Sequence, residues 1–168
     1  LPLISAGCPS ILNLIQIRFP NLMEHVVDYR PPVEVVASMA RREAERRHPD
    51  KKVGIFFIAP CTAKISFIKE SDEVVDSDID KMIAISDIYK QVLQNLDELK
   101  DEEIEDLEKA GMTGLRWPSP GGESLSLQSD DFVAGDGMDK VIDIFEKIED
   151  EKLDRLALVE TAASRGGR

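Results

Sequence analysis

Five short apolar runs, separated by stretches with helical spacing, constrain this chain more than any other feature. They are "LPLIS" (1–5), "VGIFFIA" (53–59), "KMIAIS" (81–86), "DFVAG" (131–135) and "LDRLALVE" (153–160). The runs are mostly continuous rather than alternating, as expected of parallel strands buried on both faces. The stretches between them read as helices. "PSILNLIQIRF" begins with Pro9 and Ser10, both suited to a first helical turn. "PPVEVVASMARREAERR" is introduced by Pro31 and Pro32 and carries Val35, Val36, Met39 and Ala40 on one face. "SDIYKQVLQNL" has Ser86 as an N-cap, and "DEEIEDLEKAG" closes on Gly111, a residue type favoured just past a helix end. In "GMDKVIDIFEKIE", Met138, Val141, Ile142, Phe145 and Ile148 recur at helical spacing and predict a core-facing stripe.

Strands separated by helices predict an α/β fold. The expected form is an open, mostly parallel sheet of about four to five strands flanked by helices, with right-handed crossovers. The whole chain, residues 1–168, is read as a single lobe of this kind. The segment "TGLRWPSPGGESLSLQSDD" is the one long irregular loop, a length often associated with function. The chain starts at Leu1 without an initiator Met and is read as a piece of a longer protein.

Several function classes are disfavoured by composition. A formal net charge of −12 is unsuited to a nucleic-acid surface, which needs clustered cations to displace counterions. The one basic cluster, "RREAERRHPDKK" (41–52), reads as a solvated helix end, with docking to an acidic electron carrier as the alternative. No apolar run reaches the roughly 20 residues that span a bilayer. With two cysteines and no secretory signal, the expectation is a cytoplasmic protein with reduced thiols.

The cysteines stand out by position. In open α/β sheets, ligands bind beyond the carboxyl ends of the strands. Cys8 follows the first expected strand and Cys61 the second, while Gly135-Asp136-Gly137 and "TAASRGGR" (161–168) follow the fourth and fifth. A single parallel sheet would bring all four to one rim. Two thiols there could pair, bind a soft metal, or be unrelated small core residues. His25 and His48, the only histidines, belong to helix ends away from that rim, so a complete zinc site from this chain is not expected. Gly135-x-Gly137 resembles half of a dinucleotide fingerprint, but Asp136 and Asp139 would repel a pyrophosphate. A phospho-receiver domain needs an acidic pair where this chain reads "SAGC".

Three segments together resemble the iron-only (FeFe) hydrogenases. "SAGCP" (5–9) is similar to the family's first active-site motif, TSCCPxW, and "APCTAK" (59–64) to its second, MPCxxKxxE. "LVETAASRGGR" (158–168) is similar to the start of the third, ExMxCxxGC. The resemblance implies one lobe of a two-lobed catalytic domain. It implies a 4Fe–4S cluster joined to a di-iron unit, together the H-cluster, in the parent protein. Cys8 and Cys61 would be two of the four cluster ligands, and Lys64 the cation beside a cyanide on the distal iron. The parent chemistry would be reversible reduction of protons to dihydrogen. The implied partners are the second lobe and an electron carrier or signalling domain.

This sequence departs from the family pattern at several motif positions. Gly7 replaces the proton-relaying cysteine, Ala59 a Met, and Phe67 a Glu of the same proton route. Ile11 stands in place of Trp, and the third motif has Ala162, Ser164 and Arg168 where Met and two cysteines belong. These changes resemble the divergent branch read as sensory. They leave two alternatives to turnover: a dihydrogen or redox sensor, and a cluster-free interaction module. The isolated chain is expected to hold no cofactor and to be catalytically silent.

Overall fold

The computed structural model describes residues 2–5, 7–71, 77–96, 111–128 and 130–164, without the side chains of 68–71. In chain order the elements begin with β1 (Leu3–Ile4), α1 (Pro9–Arg18), a 3-10 turn (Pro20–His25) and α2 (Pro32–Arg47). Next come β2 (Phe56–Ala59), α3 (Thr62–Ser71), β3 (Lys81–Ala84) and α4 (Ile85–Leu96). The last group is α5 (Met112–Arg116), α6 (Gly122–Ser126), β4 (Phe132–Asp136), α7 (Met138–Glu149) and β5 (Leu158–Ala162). The chain divides into two compact units, one made of Leu1–Tyr29 with Ala110–Arg168 and the other of Arg30–Lys109.

The first unit is built on a parallel three-stranded sheet in the order β1-β5-β4. Ile4 lies opposite Val159, and Gly135 opposite Thr161. A parallel bridge from Val26 to Ile4 places a further extended segment beside β1. α1 and α7 pack on this sheet through Ile11, Ile15, Val141, Phe145 and Ile148, all of them buried. Phe19 meets Phe145 edge to face at 5.4 Å, a favoured aromatic geometry. α1 starts where the sequence predicts, because Pro9 at its first position loses no helical hydrogen bond. α7 carries Asp139 in its first turn and Lys147 in its last, both favourable to the helix dipole.

The second unit holds a parallel pair, β2 and β3, with Phe56 opposite Lys81 and Ala59 opposite Ala84. Its core is small. Ala37 and Ile79 are buried, with Val33, Ile55, Phe57, Phe67 and Met82 partly so. Phe56 and Ile58, on the other face of β2, are 57% and 49% exposed. Polar contacts carry much of the packing of α2. The Arg41 guanidinium donates to Asp80 at 2.7 Å and to the Asp78 carbonyl at 2.9 Å, and pairs with the Asp78 carboxylate at 3.3 Å. Asp80 also accepts the Ile55 N–H at 2.6 Å. That backbone donor and Arg41 hold the Asp80 carboxyl below the usual range, while Asp80 raises Arg41 above its own. Ser77 donates to the buried Glu34 at 2.9 Å.

All five expected strands form, and every pairing is parallel. The expected α/β class of parallel strands flanked by helices is present, with the described strands grouped as one sheet of three and one of two. The reason lies in pairing partners. β1 joins β5 from far along the sequence, and among the described residues β2 and β3 pair with each other. The apolar face of α2 is also not its inward face. Val35, Val36 and Met39 are exposed, whereas Glu34, Ala37 and Arg41 turn toward β3 and its approach. The basic cluster is only partly a solvated end, since Arg41 is drawn inward while Arg46 and Arg47 pair with Glu43. The helix expected over "DEEIEDLEKAG" falls outside the described residues except at Gly111, which precedes α5.

Candidate functional site

Each cysteine sits at a junction between a parallel strand and the helix that follows it. Cys8 is the N-cap of α1, with extended backbone, and its carbonyl accepts from the amides of Ile11 and Leu12. Its side chain is half-buried against the core of the first unit. Cys61 follows β2 directly, precedes α3 and is exposed. Both thiols are free and stand at the positive end of a helix dipole, where a negatively charged ligand is favoured. The two belong to different units, so one sheet rim does not unite them.

Lys64 lies in the first turn of α3, half-buried, three residues beyond Cys61. A short apolar stretch gave no period by which to foresee α3. Phe67, one turn further, packs into the small core with Ala37 and Ile79. Ala59 closes β2 and is 1% exposed.

A polar cluster that motif reading did not anticipate lies at the carboxyl ends of the first unit's strands. Ser5, Glu123, Ser124 and Glu160 are all buried. Ser5 Oγ donates to Glu123 Oε2 at 2.8 Å, and Tyr29 Oη donates to Glu123 Oε1 at 2.8 Å. Both the backbone N–H and the hydroxyl of Ser124 donate to Glu160 Oε2 at 2.9 Å. Buried carboxylates require such donors. The signal in the sequence was "PGGES", inside the segment read as an irregular loop. That segment instead folds into two short helices, α5 and α6. Gly121 takes a φ of 81°, and a side chain at Gly122 would collide with the Arg116 carbonyl oxygen. Only glycine at 122 permits the turn that carries Glu123 inward.

Among the described residues, no group of three or more His, Cys, Asp or Glu side chains is placed to hold a metal ion. Cysteine thiolates hold 4Fe–4S clusters in sets of four. The chain has two cysteines, and Ser164 stands at a third-motif position where a thiolate would be needed. The residues of this chain alone therefore do not fit a complete cluster site. Among the described residues, no helix is long and apolar enough to cross a membrane.

Comparison with known proteins agrees with this architecture. No curated protein matches the chain. One solved FeFe hydrogenase, from work on oxygen inactivation through modification and degradation of the H cluster 2Fe subcluster, is similar at a TM-score of 0.62 and 17% identity. That match covers 98% of this chain and 59% of the other. HydA(deltaEFG), from work on stepwise H-cluster assembly, matches at 0.62 and 16%, covering 100% of this chain and 62% of that one. A variant of HydA1 from Chlamydomonas reinhardtii gives the same values. At these identities the likeness shows the fold, and the chain spans about three-fifths of each solved protein. The model of the family described as "Iron only hydrogenase large subunit, C-terminal domain" matches residues 1–160. With nearly the whole chain matched, this protein belongs to that family of iron-only hydrogenase domains.

Proposed function

We propose that this chain is the cysteine-bearing lobe of an iron-only-hydrogenase-type domain. In this reading Cys8 and Cys61 are two ligand positions for an iron–sulfur cluster, and Lys64 is the cation beside the attached di-iron unit. The observation that supports it is the repeated strand–cysteine–helix arrangement, β1 to α1 and β2 to α3. The whole protein would interconvert protons and dihydrogen, with the metal group carrying the redox chemistry and the protein supplying ligation and environment. In this reading the remaining two ligand positions fall at Ser164 and Arg168, which carry no thiol; the second lobe and an electron carrier or signalling domain are the further partners. By itself the chain is catalytically silent.

A sensory role is favoured over turnover by one observation. Phe67 occupies the position of a proton-route carboxyl and packs into an apolar core instead. With Gly7, it leaves no general acid at positions where the family relays protons. Ser164 favours a further reading, a cluster-free interaction module, since a hydroxyl is a poor ligand for iron–sulfur iron.

Iron and sulfide content after anaerobic reconstitution tests the proposal. The chain is compared with a variant carrying Ser164→Cys and Arg168→Cys. About four irons per restored chain, with little in the original, is the expected result. A folded, iron-free restored variant would move the interaction module to first place.

A further inference from the structure

We infer that Glu123 is a positioning residue that sets the geometry of the Cys8 loop and, through Ser124, couples it to the loop that begins beyond β5. Three parallel segments run side by side in the first unit. Ser5 N–H donates to the Val159 carbonyl at 2.9 Å, and Val27 N–H donates to the Ile4 carbonyl at 2.9 Å. The side chains that meet Glu123 and Ser124 come from these three segments. Ser5 lies just past the first, Tyr29 just beyond the second, and Glu160 at the middle of the third.

The chain of contacts continues to the thiol. Ser5 Oγ donates to Glu123 and accepts the Gly7 N–H at 3.3 Å. Glu123 thereby fixes the rotamer of a serine that holds the backbone one residue before Cys8. Because Ser5 is 1% exposed and Glu123 7%, water is a poor substitute for either partner. Ser124 acts on the other side with two donors to Glu160, four residues before Ser164. A dipeptide on α6 thus spans the strand ends that lead to the first and third motif positions. The functional meaning of this arrangement rests on the proposed ligand role of Cys8, whereas the arrangement itself does not.

The test uses the chain with its two native thiols. Alkylation of Cys8 and Cys61 is followed site by site in mass spectra, under native conditions and at several low urea concentrations. For Glu123→Ala, Cys8 should react about tenfold faster, because a buried hydrogen-bonded charge is removed and the loop opens locally. Cys61, in the other unit, is the internal reference and should not change. Glu123→Gln, which keeps the shape and one acceptor oxygen, should fall between. Ser5→Ala removes the bridge to Gly7 while leaving Glu123 and Tyr29 in place, and should reproduce the effect on Cys8 if Glu123→Ala does not fold. An unchanged Cys8 rate would overturn the inference. So would both thiols accelerating together with the urea dependence of global unfolding, since that marks a merely structural residue. Iron uptake separates this result from the cluster reading. Faster Cys8 labelling, with no iron in the Ser164→Cys, Arg168→Cys variant, supports the positioning role and removes the ligand role. Iron uptake with unchanged labelling does the reverse.

Discussion

The two units place a cysteine at the same kind of junction and surround it differently. In the first, Cys8 is half-buried against a core that includes Ile11, Ile15, Phe145 and Val159. In the second, Cys61 is exposed, and among the described residues the core cluster near its strand buries Ala37 and Ile79. The first unit gathers buried carboxylates and hydroxyls near its strand ends, while the second has one buried carboxylate, Glu34, beside a partly exposed ion-pair group around Arg41. The difference teaches that one local design can serve two purposes. The thiol of the first unit is held against a packed core, whereas that of the second stands exposed at its junction.

The largest expected effect breaks this contrast at its centre. Phe145→Ala, at a site of 0% exposure in contact with Phe19, should destabilise the first unit by about 3–5 kcal/mol. Ile79→Ala in the second unit should cost nearer about 2 kcal/mol, because its partly exposed surroundings can collapse into the gap. Urea titration followed by fluorescence of Trp117, the only tryptophan, reads the first unit, and amide exchange across residues 53–59 reads the second. Equal losses from the two substitutions would remove the distinction drawn here.

A smaller effect sharpens the same contrast through pH. Asp80 is held below the usual carboxylate range by the Ile55 amide and Arg41. Its contribution is therefore fully present above the unfolded-state value of about 4 and is lost as pH falls through the lowered folded value. Acid should loosen the second unit accordingly, and Asp80→Asn should flatten that dependence. Amide exchange across residues 53–59 as a function of pH checks it, and an acid response that survives the substitution would exclude Asp80 as its source.

The smallest effect has the opposite sign. Thr161 is 1% exposed, and its Oγ1 has no hydrogen-bond partner among the described residues. Thr161→Val keeps the shape and removes an unsatisfied hydroxyl, so it should stabilise the first unit by about 1 kcal/mol or less. A fall in the urea midpoint would instead reveal a partner for that hydroxyl.

Continuous apolar runs are visible without tertiary knowledge, which is why all five strands and the helices α1, α2, α4 and α7 were legible to within a few residues. The partition into two sheets was not, because an apolar run carries no record of which other run it pairs with. α3 was missed for a local reason: it begins directly after Cys61, where the strand pattern ends without a spacer. That each cysteine follows a strand was legible in the sequence. The carboxylate cluster was not, since Glu123 is one acidic residue among 33 and is buried only because Gly121 and Gly122 permit the turn before it. Val35, Val36 and Met39 show the limit of periodicity, which identifies an apolar face without saying what covers it.

The pairing of β1 with β5 has a consequence for the order in which the protein assembles. Leu3 lies opposite Leu158, so the sheet of the first unit joins the two ends of the described chain. Every residue of the second unit, Arg30–Lys109, leaves the ribosome before β4 and β5 exist. That inserted unit can organise while synthesis continues, whereas the first must wait for contacts of long sequence separation, which form slowly. The Cys8 segment therefore stays without the strand that will flank it until Leu158–Ala162 has been made. Its loop acquires a fixed shape only after β5 has emerged.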